Sequence, residues 1–115
     1  MSTLRHTMPH HTLLAYGVAL ELVVAVNEAR VRDDGLRDQA MRAAKSAALN
    51  TAEGAGRSSP KDKARVFVIA RGEATEAAAA IEIAVACGDS SEAARDRVVS
   101  IARRLTAMLT ALIRR

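Results

Sequence analysis

The chain has 115 residues, half of them apolar, with one Phe, one Tyr, no Trp and a formal net charge of +4. That length gives a single domain, and an apolar content carried mainly by alanine excludes a β-sandwich or barrel, because alanine is the best helix former and a poor strand former. No run of about 18 apolar residues exists to span a membrane.

The chain opens with a polar segment, Met1 to His11, that carries His6, His10 and His11 and is broken by Pro9. It lacks the apolar stretch of a signal peptide and reads as a flexible N-terminal arm over residues 1–11, ahead of a domain over residues 12–115. The first helix is expected from about Thr12 to Arg32, with Leu14, Val18, Leu22, Ala25 and Val26 facing inward and Leu13, Val23 and Val24 widening that face.

Asp33-Asp34-Gly35 makes a turn, with Asp34 as the expected N-cap of a second helix from about Leu36 to Glu53. Its inward face is small: Leu36, Ala40, Ala43, Ala44, Ala47 and Thr51. Gly54 to Ser59 reads as a loop. Ser59-Pro60-Lys61-Asp62 reads as a capped helix start with proline at the first helical position and Asp62 reaching back. The third helix then runs to Cys87, with a seam of Phe67, Ala70, Ala74, Ala77, Ile81 and Ala84 at alternating threes and fours.

Gly88 stops that helix, and Asp89-Ser-Ser-Glu92 offers a capping box for a fourth, ending near Ile113 with Val98, Ile101, Leu105, Met108 and Leu112 inward. Four amphipathic helices on short turns predict an all-α, up-down-up-down four-helix bundle. Alanine buries little area, so a bundle of this kind gains from burying more surface between subunits, and a homo-oligomer is expected.

One polar stripe stands out. Arg42, Ser46, Asn50, Glu53 and Arg57 follow at spacings of four, four, three and four, which puts them on one helical face. Two readings fit: a recognition site, or hydrogen bonding that fixes helix or subunit register, with Glu73 and Glu76 of the third helix as partners. The alanines beside the stripe favour the second. Gly54-x-Gly56-Arg57 before a helix start also suits an anion, but the Walker A spacing is absent and a plain turn is the simpler reading.

No histidine follows His11, which removes the commonest general base, and Cys87 is alone, which reads as a structural thiol and fits a reducing, cytoplasmic compartment. No metal set and no cofactor motif is evident, so no enzyme activity is expected. Lys61, Lys63 and Arg65 of the third helix, with Arg97 and Arg104 of the fourth, offer a basic surface for RNA or DNA. The scarcity of aromatics disfavours base stacking there. A protein-only adaptor that docks a partner protein is the alternative.

The block Leu36-x-x-Gln39-x-x-Arg42-Ala-Ala-x-Ser46-x-x-x-Asn50-x-Ala52-Glu53-Gly54-x-Gly56-Arg57 resembles the signature of the bacterial four-helix bundle proteins, the 23S ribosomal RNA intervening-sequence or S23 family. Phe67-x-x-Ala70-x-Gly72-x-x-x-Glu76 is similar to that family's third-helix pattern. Relatives include the accessory variability determinant of diversity-generating retroelements. The resemblance implies a cytosolic bundle assembled as a homopentameric ring, and in the retroelement relatives a basic ring surface for nucleic acid and a reverse transcriptase. The chain departs from the pattern at Ala48, where proline is frequent, at Glu73, where serine is, and at Ala78 and Thr75, where a glutamate and a nearby aromatic are.

Overall fold

The computed structural model describes residues 7–115. A 3-10 turn, Pro9–Thr12, leads into four helices: α1 (Leu14–Glu28), α2 (Asp34–Gly56), α3 (Pro60–Ala86) and α4 (Glu92–Ile113). They pack as an up-down-up-down bundle. α2 and α4 each lie against both α1 and α3, while α1 and α3 sit diagonally across the bundle. His6 lies outside the described residues. His10 and His11 belong to the 3-10 turn, where the His10 ring meets Tyr16 edge-on at 4.6 Å and His11 Nδ1 accepts the Met8 N–H at 3.0 Å.

Each helix boundary has a local cause. α1 stops at Glu28, four residues short of the expected end, because Arg30 takes a left-handed backbone with φ 47° and turns the chain. The N-cap of α2 is Asp33 rather than Asp34: its Oδ2 accepts the Leu36 N–H at 2.9 Å, while Asp34 pairs with Arg37. Ser59 caps α3 as expected, with Pro60 in the first turn, but the Asp62 carboxylate turns away to Arg57 and Arg65. Gly88 ends α3 at φ +78°, a conformation glycine adopts without penalty. Ser91, not Asp89, caps α4 through the Ala94 N–H.

The core is built largely of alanine. Ala40, Ala43, Ala44 and Ala47 of α2 face Ala70, Ala74, Ala77 and Ala84 of α3, all fully buried. Small side chains let two helix backbones approach closely, so these two helices make the most extensive contact in the fold. Larger side chains fill the space toward the other helices: Leu22 of α1, Ile81 of α3, Leu105 and Leu109 of α4. The expected α3 seam is buried throughout. On α4 the buried line drifts from Leu105 to Leu109, leaving Met108 and Leu112 only half-buried. Leu14, expected inside, is 80% exposed, and Ala15 takes the inward place. Cys87, read as a structural thiol, is exposed as well.

The expected loop at Gly54 is helix. α2 continues through Gly56, and Gly54 is buried inside its last turns. A Cβ at residue 54 would lie 2.6 Å from the edge of the Phe67 ring. The glycine is thus a socket for the chain's single phenylalanine, and its role is close approach rather than chain breaking. Gly56, two residues on, has open space where its methyl group would stand, with no neighbour within 4 Å.

That difference gives a paired test in urea denaturation. Gly54→Ala forces the Phe67 ring to move, and overpacking of this kind costs about 1–3 kcal/mol against a helix-propensity gain of about 1 kcal/mol. A net loss near 1 kcal/mol is expected. Gly56→Ala has the gain alone and leaves the protein as stable or up to about 1 kcal/mol more so.

Candidate nucleic-acid interface and the polar stripe

The polar stripe does not converge on a cavity. Arg42 reaches across to α3, with its guanidinium 2.7 Å from Glu76 and 3.9 Å from Glu73. Asn50 donates to the carbonyl and the hydroxyl of Ser46 on its own helix, at 2.9 and 3.1 Å. Arg57 pairs with Glu53 at 2.6 Å and with Asp62 at 3.4 Å, and Asp62 also accepts from Arg65. The stripe is therefore three separate groups: an α2–α3 strut, an intrahelical turn, and a four-residue ion network over the α2–α3 junction. Each polar group finds its partner within the set. None of the clefts of 300–450 Å³ is lined by Arg42, Asn50, Glu53 or Glu76.

The five basic residues singled out in sequence do not form one surface. Arg97 and Arg104 lie along α4 and bridge to α1, at 2.8 Å to Glu28 and 2.6 Å to Glu21. Lys61, Lys63 and Arg65 lie on the first turns of α3, at the end of the bundle where α2 and α4 finish. Lys63 donates to the Ala55 carbonyl at 2.8 Å and so closes the C-terminus of α2, a favourable place for a cation. Arg65 is held by Asp62, and Lys61 is exposed.

Two further arginines join them. Antiparallel packing brings the end of α4 beside the start of α3, so Arg114 and Arg115 arrive at the same end. This end carries Arg57, Lys61, Lys63, Arg65, Arg114 and Arg115 against only Glu53 and Asp62. Over the rest of the described residues acids and bases nearly balance, ten bases against eleven acids. The positive charge of the protein is thus gathered at one end of the bundle.

Beneath that basic rim lies a cleft of about 370 Å³, lined by Pro9, Leu13, Phe67, Leu112 and the side chains of Lys63 and Arg115 among others. The opposite end is laced by backbone instead. Arg32 N–H donates to the Asp89 carbonyl at 3.0 Å, its guanidinium to the Gly88 carbonyl, and the Ser90 hydroxyl to the Ala29 carbonyl at 2.8 Å. Among the described residues no three His, Cys, Asp or Glu side chains gather as a metal set, and no helix is long and apolar enough to cross a membrane.

These features define the class: a small all-α four-helix bundle with an alanine core and one basic end. A family model for the 23S rRNA-intervening sequence protein matches residues 12–111, nearly the whole bundle, and the chain belongs to that family. Comparison with curated proteins finds no match.

The stripe's ion pairs are exposed, and such pairs contribute about 0–1 kcal/mol. Arg42→Ala is expected to lower unfolding stability by less than about 1 kcal/mol, with most of that difference gone in high salt. A loss of several kcal/mol that persists in salt would show the strut to be a far stronger constraint than its exposure allows.

Proposed function

We propose that this protein is a non-enzymatic, self-assembling helical bundle that contacts a nucleic acid, RNA or DNA, through its basic end. The observation that carries the reading is the segregation of charge: the surplus of cations sits around the start of α3 and the end of α4, not along the helices. Phosphate contacts need only charge and reach, and a polyanion with many equivalent phosphates suits a rim of flexible lysines and arginines. Lys61, Arg114 and Arg115 are the exposed members with no acidic partner among the described residues. The absence of any histidine beyond His11, and the mutual pairing of the stripe's polar groups, support a binding rather than a catalytic role.

Self-assembly is part of the same reading. The alanine core buries little area per residue, and the family resemblance implies a pentamer; native mass spectrometry under reducing conditions reads the number directly. Several basic ends held in one assembly raise the affinity for a long polyanion without any new contact, because each later contact is intramolecular. A protein-only adaptor is the second reading, favoured by the apolar cleft of Leu13, Phe67 and Leu112 under the basic rim, which fits a partner's apolar side chain better than a phosphate.

Fluorescence anisotropy with a labelled structured RNA and a labelled DNA duplex, across a salt series, tests the proposal. Binding at low salt that weakens steadily as salt rises is expected. The triple variant Lys61→Ala, Arg114→Ala, Arg115→Ala should bind more weakly, with a salt slope shallower by about one unit for each phosphate no longer neutralised. The double variant Arg97→Ala, Arg104→Ala, whose cations are already paired, should bind like the parent. No binding at low salt, or a triple variant indistinguishable from the parent, overturns the nucleic-acid reading and leaves the adaptor.

A further inference from the structure

Leu14 is the most exposed large apolar residue among the described ones. It borders a hollow. The drift of the buried line on α4 from Leu105 to Leu109 leaves Met108 and Leu112 half-buried, and α1 begins only at Leu14, so on that side the last turns of α4 have just the first turn of α1 beside them. A cleft of about 320 Å³ opens there, lined by Leu14, Ala15, Met108 and Ala111 among others. It shares Thr12, Leu13, Leu112 and Arg115 with the cleft of about 370 Å³ beneath the basic rim. The two therefore run together as one groove, past the 3-10 turn and along the end of α4.

The groove is graded in polarity. At one end stands Lys63, beside Pro60 and Phe67, with its Nζ held 2.8 Å from the Ala55 carbonyl. An ammonium has three N–H donors, and that bond uses one. Arg115 stands where the two clefts meet. Neither cation has an acidic partner among the described residues, and no Asp or Glu lines either cleft. The far end, at Leu14, Ala15, Met108 and Ala111, carries no charged side chain.

That gradient fixes the chemistry of the occupant: anionic at one end and apolar along the rest. A phosphate backbone uses the cations and gains nothing from the apolar end. A partner's lone apolar side chain fills one cleft and leaves the cations unmet. An aliphatic carboxylate satisfies both, with a charge-assisted hydrogen bond at its head and burial of its methylenes along the tail. Each cleft also falls in the range of about 300–1,000 Å³ typical of small-molecule sites, which are mostly apolar with a few placed polar groups.

Going beyond both readings above, we infer that this groove is a binding site for a single medium-chain aliphatic carboxylate, its head between Lys63 and Arg115 and its tail lying over Leu13 and Leu112 toward Met108. Bound there, the carboxylate neutralises part of the basic end, so its occupancy opposes the binding of a polyanion at that end.

Calorimetry and amide chemical-shift mapping with hexanoate, octanoate and decanoate, below their micelle concentrations and without nucleic acid, test the inference whatever the outcome of the RNA and DNA experiments. Saturable one-to-one binding of decanoate is expected, with shifts gathered at Thr12, Leu13, Phe67, Met108 and Leu112. Each added methylene should tighten binding by about two- to fourfold, since a half-open groove buries only part of each. Decanol, which has the tail without the charge, should bind at least about tenfold more weakly than decanoate. Lys63→Met keeps the aliphatic stem and should remove that preference. Ala111→Glu, at an exposed position, sets a like charge in the groove and should weaken decanoate at least about tenfold; circular dichroism checks that both variants fold. Lys61→Ala, outside both clefts, should bind decanoate like the parent. No saturable binding, shifts that map elsewhere, affinity independent of chain length, or a loss in Lys61→Ala as large as in Lys63→Met overturns the inference. So does retention on phosphatidylglycerol vesicles without binding of monomeric decanoate, which assigns the end to surface charge alone.

Discussion

The close approach of α2 and α3 is the constraint on which the rest of the bundle depends. Two runs of alanine meet face to face, and the helices come as near as their backbones allow. Nothing bulky can enter that interface, so the large residues are displaced toward α1 and α4, where Leu22, Ile81, Leu105 and Leu109 fill the centre. The polar stripe lies along the rim of the same interface. Its Arg42–Glu76 strut and its Glu53–Arg57–Asp62 network both join α2 to α3, or α2 to the turn between them. What first looks like a binding constellation is a border of ion pairs around a tightly closed seam.

The same constraint shapes the surface. With alanine filling much of the core, several larger aliphatic side chains stand exposed: Leu14, Leu20 and Val24 on α1, Leu49 on α2, and Val68, Ile69 and Ile83 on α3. Charge is sorted in the complementary way. α2 and α4 carry the outward ions of the bundle sides, and the uncompensated cations collect where α3 starts and α4 ends. The exposed aliphatic side chains on the flanks and the surplus cations at one end are thus separate surfaces of one small fold.

Much of this was legible in the chain. The α3 seam could be read residue by residue, because its three-and-four spacing is unbroken and every member is apolar. Opposite charges on adjacent helices offered Glu73 and Glu76 to Arg42 or Arg57; Arg42 takes both, while Arg57 pairs with Glu53 and Asp62. Other features were hidden for identifiable reasons. On α4 a strict three-four count leads to Met108 and Leu112, whereas a straight helix drifts against that repeat by about 20° per heptad, which brings Leu109 inward instead. Two adjacent aspartates are equal as caps until the backbone chooses Asp33. Leu14 fits the period but lies at the first turn of α1, where no neighbour among the described residues covers it. Half of the basic end, Lys61, Lys63 and Arg65, could be read, but Arg97 and Arg104 were joined to it in place of Arg114 and Arg115, because only antiparallel packing places Arg115 beside Lys63.

The contact between Gly54 and Phe67 reaches beyond the stability of this one chain. The ring fills space that exists only because residue 54 has no side chain, and the two positions lie on helices separated by a turn. Neither can drift alone. A larger residue at 54 needs a smaller or differently shaped one at 67, and a lost ring at 67 leaves a hole that a methyl group at 54 would partly refill. Within the family these two columns should therefore vary together, a correlated pair on either side of the α2–α3 turn. The glycine that looked like punctuation in the sequence is half of a two-residue unit of inheritance.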